Sequence, residues 1–253
     1  MTFWEHLDEL RKVLFRSVLF LLVLMVLLFA AKDSLFNVVF APTNSDFILY
    51  RGISTVMRYL GMGEMESFNI ALVNIDLSAQ FFIHISTTFY FSLVLATPFI
   101  LYQLWTFVRP ALYERERKAA IYGFSFAGLL FFLGVMAGYF LIFPLTLRFL
   151  GTYQVSDLVA NQISLKSYMG MFIWLILIMG IVFELPALSA ILSRLGILSK
   201  SFLKSYRRHA FVVLLVVAAF ITPSGDPFTL AAVGLPLYAL YEVSILVCRD
   251  FDK

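Results

Sequence analysis

The chain has 253 residues, of which 61% are hydrophobic and 14% charged, and its mean hydropathy is +0.91. Soluble globular domains carry about 25% charged residues, and about 250 residues already approach the limit of one soluble core. The composition therefore excludes an ordinary soluble domain and indicates that lipid surrounds much of the chain. The net charge of +3 is too balanced to indicate a nucleic-acid partner. The single cysteine, Cys248, excludes an internal disulfide.

Long apolar segments recur along the chain. A helix needs about 20 mostly apolar residues to cross roughly 30 Å of hydrocarbon. Six segments are predicted to span the membrane, at residues 13–31, 81–107, 119–143, 168–192, 210–221 and 228–247. We therefore predict an all-α, polytopic membrane protein whose residues 1–253 form one domain.

The fifth segment is the shortest, with 12 residues, and its length also allows a buried or re-entrant helix. The turn at 222–227, Thr-Pro-Ser-Gly-Asp-Pro, favours a hairpin with the last helix instead. Local bilayer thinning accommodates a short span. The prediction is thus six spans.

Basic residues are distributed unevenly between the two sides of this arrangement. One side holds 14 lysines and arginines, in the two termini and the connections at about 108–118 and 193–209, against five on the other side. Because basic residues are retained in the cytoplasm, both termini are predicted to be cytoplasmic.

The connection at 32–77 is the longest and is expected to form an ordered external cap. Ile53, Val56, Met57 and Leu60 have the spacing of a short amphipathic helix, which Gly61 ends.

Acidic residues inside the predicted spans are costly, and they usually face a cavity or the interior of a bundle. Glu184 lies deep in the fourth span, and Pro186 should kink the helix beside it. A functional role is favoured for Glu184, against the alternative of a protonated side chain bonded to a neighbouring helix. Glu242 is closer to the end of its span, so it is expected to reach the interface. His84 and Gln103 are interpreted as packing or interfacial groups.

Motifs for catalysis are missing from the sequence. It contains no HExxH, GxSxG, GxGxxG or GxxxxGK[ST] pattern. Its three histidines lie in separate segments, without cysteines or acids at ligand spacing. We expect neither an enzyme nor a metal site nor a cofactor.

Two segments on the predicted cytoplasmic side combine acids and bases, and they carry a family resemblance. The first reads His6-Leu7-Asp8-Glu9-Leu10-Arg11, and the second extends from Tyr102 to Arg117 as YQLWTFVRPALYERER. Further matches are Ala41-Pro42, Phe143-Pro144, Phe183-Glu184-x-Pro186, Thr222-Pro223 with Asp226, and Pro236. Together these residues resemble TatC, the receptor subunit family of the twin-arginine protein translocase.

The resemblance implies a glove-shaped, concave six-span bundle in the inner membrane that receives folded cargo with a twin-arginine signal peptide. It further implies that Glu9 and Glu116 bind the arginine pair. The residues that would shape this site are Arg11, Phe107, Pro110, Leu112, Tyr113 and Arg117. A planar guanidinium matches a carboxylate bidentately, whereas lysine offers a compact ammonium, so two carboxylates can prefer Arg-Arg to Lys-Lys.

Partners are also implied by the resemblance. Glu184 would meet polar groups of the single-span TatA and TatB proteins or let signal peptides enter. Pro186, Thr222 and Asp226 would be further intramembrane polar or partner-contact positions, and Pro42 would shape the external loop. The family likeness implies self-association in a larger complex and transport driven by the proton-motive force.

Two other functions compete with this interpretation. In a proton-coupled transporter for a small solute, Glu184 would carry the proton, but the sequence has no paired inverted halves. In a structural scaffold, neither Glu9 nor Glu116 would affect export.

Overall fold

The structure, a computed structural model, describes residues 3–62, 68, 70–111, 114–156, 161–222 and 225–250, without the side chains of 3, 5, 111 and 114–120. The helices are α1 (Phe3–Ala30), α2 (Lys32–Phe40), α3 (Ile48–Tyr59), α4 (Ala79–Val108), α5 (Glu114–Ala137), α6 (Phe143–Thr152), α7 (Leu165–Val182), α8 (Leu185–Arg194), α9 (Lys200–Ser205), α10 (Arg207–Ile221) and α11 (Pro227–Val247). Two short strands, β1 (Leu72–Val73) and β2 (Ile163–Ser164), pair in parallel. The fold is all-α apart from this pair.

Five helical segments of the described chain are long and apolar enough to cross a membrane. They are His6–Ala30, Ala79–Val108, Ile121–Thr152, Leu165–Arg194 and Pro227–Val247. They contain or overlap the predicted first four and last spans. The helix at the predicted fifth span, α10, has 15 residues, a length of about 22 Å at 1.5 Å per residue.

The core lies where α7 crosses α5. Phe172, Leu175 and Met179 of α7 are at most 1% exposed. A Cβ added at Gly134 of α5 would lie 2.4 Å from the Met179 carbonyl oxygen, so only glycine allows this approach. Gly180 faces the crossing from the other side, because its added Cβ would lie 2.9 Å from the Phe131 ring. The two helices thus pack backbone to backbone.

The third span contains a single π-helical turn, at Gly138–Ile142, between α5 and α6. Pro144, the second residue of α6, has no backbone N–H, so the regular helical bond to the Phe140 carbonyl cannot form. The Pro144 carbonyl oxygen accepts a hydrogen bond of 2.9 Å from the Tyr50 hydroxyl. The start of α6, just after the irregular turn, is therefore hydrogen-bonded to the cap.

Three tyrosine hydroxyls form hydrogen bonds between the cap and the spans. Tyr168 donates to the Val39 carbonyl at 2.6 Å and Tyr139 donates to the Val38 carbonyl at 2.8 Å. Tyr50 donates to the carbonyls of both Pro42 and Pro144. Burial raises the pKa of the Tyr50 hydroxyl above its usual value. The protonated hydroxyl is the form that can donate these bonds.

The described part of the cap contains α2, a 3₁₀ turn at Ala41–Thr43, α3 and β1. An amphipathic helix was predicted around residues 53–60, and α3 forms there. It begins earlier, at Ile48, and ends before Gly61, whose φ of +71° favours glycine.

Candidate functional site

The first candidate site residues lie on α1, which packs along α4 in the opposite direction. The His6 and Phe107 rings stack with centroids 4.3 Å apart, and the Phe20 and Phe99 rings stack at 4.2 Å. Val13, between these two contacts on α1, is 3% exposed. The start of α1 therefore lies beside the end of α4.

Glu9 is located one turn from the His6–Phe107 contact. Successive helical residues are rotated by about 100°, so Glu9 is about 40° from the direction of Val13, which faces α4. Its carboxylate accepts a hydrogen bond of 2.7 Å from the Lys12 ammonium. The Glu9 side chain is 40% exposed and that of Lys12 is 56% exposed, so solvent reaches both members of the ion pair.

Arg11 is not brought to the same place as Glu9. It is two residues from Val13, a rotation of about 200°, so it projects from the side of α1 that faces away from α4. Arg11 is exposed there. The sequence grouped it with Glu9 because the two are neighbours in the motif, but helix geometry separates them.

The second candidate segment joins α4 to α5. A 3₁₀ turn at Arg109–Ala111 follows α4 and contains Pro110, which is exposed. Leu112 and Tyr113 lie outside the described residues. Glu116 and Arg117 belong to the first turns of α5, and their side chains are outside the described part. Phe107 is thus the member of this segment whose contact with α1 is established.

Glu184 occupies a break in the fourth span. The α-helix stops at Val182 and resumes at Leu185, with Glu184 at the N-cap position and Pro186 buried in the next turn. The Glu184 side chain is half-buried and caps no backbone N–H of α8. Pro186 has no backbone N–H to bond the Val182 carbonyl, and the α-helix is interrupted just before it, at residues 183–184.

The last candidates lie between α10 and α11. Thr222 follows the end of α10 and is 5% exposed. Asp226 caps α11, since its carboxylate accepts a hydrogen bond of 2.8 Å from the Thr229 backbone N–H.

Pro42, the candidate in the external loop, is buried in a 3₁₀ turn at Ala41–Thr43. The structure thus gives Asp226 and Pro42 local structural contacts.

Two contacts near Glu9 were not assigned from the sequence. His6 belonged to the recognised motif, but its stacking on Phe107 depends on the packing of α1 against α4. The spacing of Glu9 and Lys12, three residues apart in a helix, was the available signal for their ion pair. A third contact lies elsewhere in the chain: the Glu242 carboxylate forms an ion pair with the Arg207 guanidinium, at 2.6 Å.

Comparison with known proteins gives a consistent family. The family model described as "Sec-independent protein translocase protein (TatC)" matches residues 5–236. The TatC protein of Blattabacterium is 36% identical over 258 residues, which cover 100% of this chain and 97% of the relative. The TatC protein of Deinococcus radiodurans is 35% identical, and the match covers 98% of this chain and 86% of the relative.

Solved structures agree with the sequence relatives. A crystal structure of the twin-arginine translocase receptor TatC matches with a TM-score of 0.69 and 30% identity, covering 96% of this chain and 97% of the other. A second one, in DDM, matches with a TM-score of 0.72 and 29% identity. These comparisons give no support to a small-solute transporter. The chain is a multi-pass membrane protein of the TatC family, a core component of the twin-arginine protein translocase.

Proposed function

We propose that this chain binds twin-arginine signal peptides of folded cargo, with Glu9 and Glu116 as the carboxylates that hold the two arginines. The stacking of His6 on Phe107 carries the proposal. It brings the turn that holds Glu9 to the end of α4, from which the chain reaches Glu116 within nine residues. Phe107, Pro110, Leu112 and Tyr113 would line the site between the two acids.

The ion pair of Glu9 suits a receptor that exchanges partners. Solvent and salt screen exposed ion pairs, so Lys12 holds the Glu9 carboxylate only weakly. An arginine offers two parallel N–H donors to the same carboxylate. An incoming guanidinium would therefore displace the Lys12 ammonium, and Arg11 and Arg117 would shape the electrostatic surroundings of the site.

The proposed topology has six spans, with α10 as the fifth and both termini in the cytoplasm. The excess of lysines and arginines on the side of the termini supports it. At about 22 Å, α10 is shorter than roughly 30 Å of hydrocarbon, which favours a thinned bilayer at this edge. In a bacterium, the membrane would be the inner membrane.

Partner binding is assigned to the break at Glu184 and to the α10–α11 edge with Thr222 and Asp226. A half-buried acid at an interrupted helix offers a polar contact within the bilayer. Single-span TatA-type and TatB-type proteins would meet it there, and several copies of the chain would assemble. We propose that the proton-motive force drives transport, without enzymatic turnover by this chain.

The test measures the affinity of the purified chain for a fluorescent twin-arginine peptide. Glu9→Gln and Glu116→Gln should each weaken binding at least tenfold, because each leaves one guanidinium without its carboxylate. Asp8→Asn is the matched control. Asp8 is exposed and points about 140° away from Val13, so its removal should leave the affinity unchanged. Equal affinities for all four proteins would refute the site.

A further inference from the structure

Three charged side chains lie along one flank of α1, next to the side that faces α4. Successive helical residues are rotated by about 100°, so Lys12 lies about 60° and Arg16 about 20° from Glu9 around the helix axis. Arg11 lies about 160° from Glu9, on the opposite side. Glu9, Lys12 and Arg16 therefore share one surface, which we call the Glu9 flank.

The two bases of the Glu9 flank differ in their contact with the acid. The Lys12 ammonium lies 2.7 Å from Oε1 of Glu9 and donates a hydrogen bond to it. Arg16 attracts the same carboxylate through its charge, but it makes no ion pair with an acid in the described part of the chain. Both bases are exposed, so each can be replaced without leaving a buried group unpaired.

The position of Lys12 makes its ammonium a permanent rival for any ligand of Glu9. A base on the same helix, three residues from the acid, stays close to the carboxylate at every peptide concentration. An arginine of the peptide bonds a carboxylate best through two parallel N–H groups, one to each oxygen. Since the Lys12 ammonium occupies Oε1, it has to leave before that arrangement can form.

We propose that Lys12 is an autoinhibitory residue of the signal-peptide site, an inference that rests on the proposed role of Glu9. In the free receptor its ammonium occupies the Glu9 carboxylate, so only the fraction of molecules with an open ion pair is competent to bind. For an exposed pair this lowers the apparent affinity about two- to fivefold. A receptor that must pass its cargo on gains from such weakened binding.

This role differs from a role in choosing between peptides. A competitor that occupies the free site lowers the affinity of every ligand of that site by the same factor. The preference for arginine over lysine therefore remains a property of the carboxylates, and Lys12 sets only the strength of binding. Removing its ammonium should strengthen an Arg-Arg peptide and a Lys-Arg peptide equally.

The first test measures association and dissociation rates of a fluorescent twin-arginine peptide with the purified chain. Lys12→Gln should raise the association rate and the affinity about two- to fivefold, and should leave the dissociation rate unchanged because the ammonium is absent from the bound site. Arg16→Gln is the matched control, since it removes the same charge from the same flank without removing a hydrogen bond to Glu9. An equal gain in both variants would show general charge repulsion and overturn the proposal.

A charge-conserving variant separates occupation of Glu9 from repulsion of the peptide. Lys12→Arg keeps the positive charge but offers the carboxylate two parallel N–H donors, so it should hold Glu9 more tightly. The affinity for the peptide should then fall at least twofold below that of the wild type. An unchanged or higher affinity would contradict the autoinhibitory role. Melting temperatures equal to that of the wild type would confirm that these exposed substitutions leave the fold intact.

A double variant tests the dependence on Glu9. In the Glu9→Gln background, Lys12→Gln should give no further gain, because no carboxylate remains for the ammonium to occupy. A gain as large as in the wild-type background would refute the mechanism. If Glu9→Gln weakens binding but Lys12→Gln does not strengthen it, the autoinhibition alone fails. If Glu9→Gln leaves binding intact, the proposed peptide site fails, and the autoinhibition with it.

Discussion

Glu184 is an acidic residue at a costly position, inside the fourth predicted span. It interrupts the fourth span, caps no backbone group of α8, and is half-buried among apolar neighbours. An acid at such a depth costs about 2.5–3.5 kcal/mol on insertion scales. No cap hydrogen bond from the Glu184 side chain offsets this cost. We therefore propose that the side chain contacts a partner.

Replacing this acid should separate partner binding from peptide binding. Glu184→Gln keeps the shape of the side chain and removes its ionisable group, so we expect several-fold less co-purified single-span partner and an unchanged peptide affinity. Glu242→Gln is the control. Glu242 is also an acid in a predicted span, but its carboxylate forms an ion pair with Arg207 of the same chain. Partner recovery at the wild-type level in Glu184→Gln would count against the assignment.

The helices could be predicted from the sequence because each long apolar run has one physical solution in a bilayer, a helix. Their ends were less predictable. The helix of the first predicted span, α1, begins at Phe3, ten residues before that span, and its polar start packs on α4 through His6 and Phe107. The fourth is divided at Phe183–Glu184, where Pro186 removes a backbone donor.

Contacts between distant elements gave no local signal. Tyr168 bonds the carbonyl of Val39, 129 residues away, and Tyr50 bonds Pro144, 94 residues away. Neither pair has a periodicity or spacing that marks it. For the candidate site, the motif indicated the residue types, but which of Glu9 and Arg11 lies nearer to α4 depends on how α1 packs against α4.

The crossing of α5 and α7 can be tested by adding single methyl groups. Gly134→Ala should destabilise the protein by about 1–3 kcal/mol, because its Cβ would meet backbone atoms that cannot move aside. Gly170→Ala on α7 is the control. Its Cβ has no atom within 4 Å, so alanine should be neutral or stabilise the helix by up to about 1 kcal/mol. Denaturant titration in detergent compares the two, and equal stabilities would show that the crossing is looser than described.

For the whole molecule, two termini on the same side of the membrane require an even number of spans. With α10 as a span, a reporter fused after Lys253 should be on the same side as one fused at the amino terminus, in the cytoplasm. Alkaline phosphatase, active only outside the cytoplasm, should therefore be inactive when fused after Lys253 and active when inserted at Tyr59, at the end of α3. Activity at the carboxyl terminus would show that α10 does not cross.

We propose that carboxylates from two distant segments bind one arginine pair. Photocrosslinkers placed at positions 9 and 116 in native membranes test it most directly. Both should react with residues that flank the arginine pair of a precursor. An Arg-Arg peptide should compete with the precursor for these crosslinks, whereas a Lys-Lys peptide should not. A crosslinker at the position of Asp8 is the control and should not react. Reaction from only one of positions 9 and 116, or equal competition by both peptides, would contradict the claim.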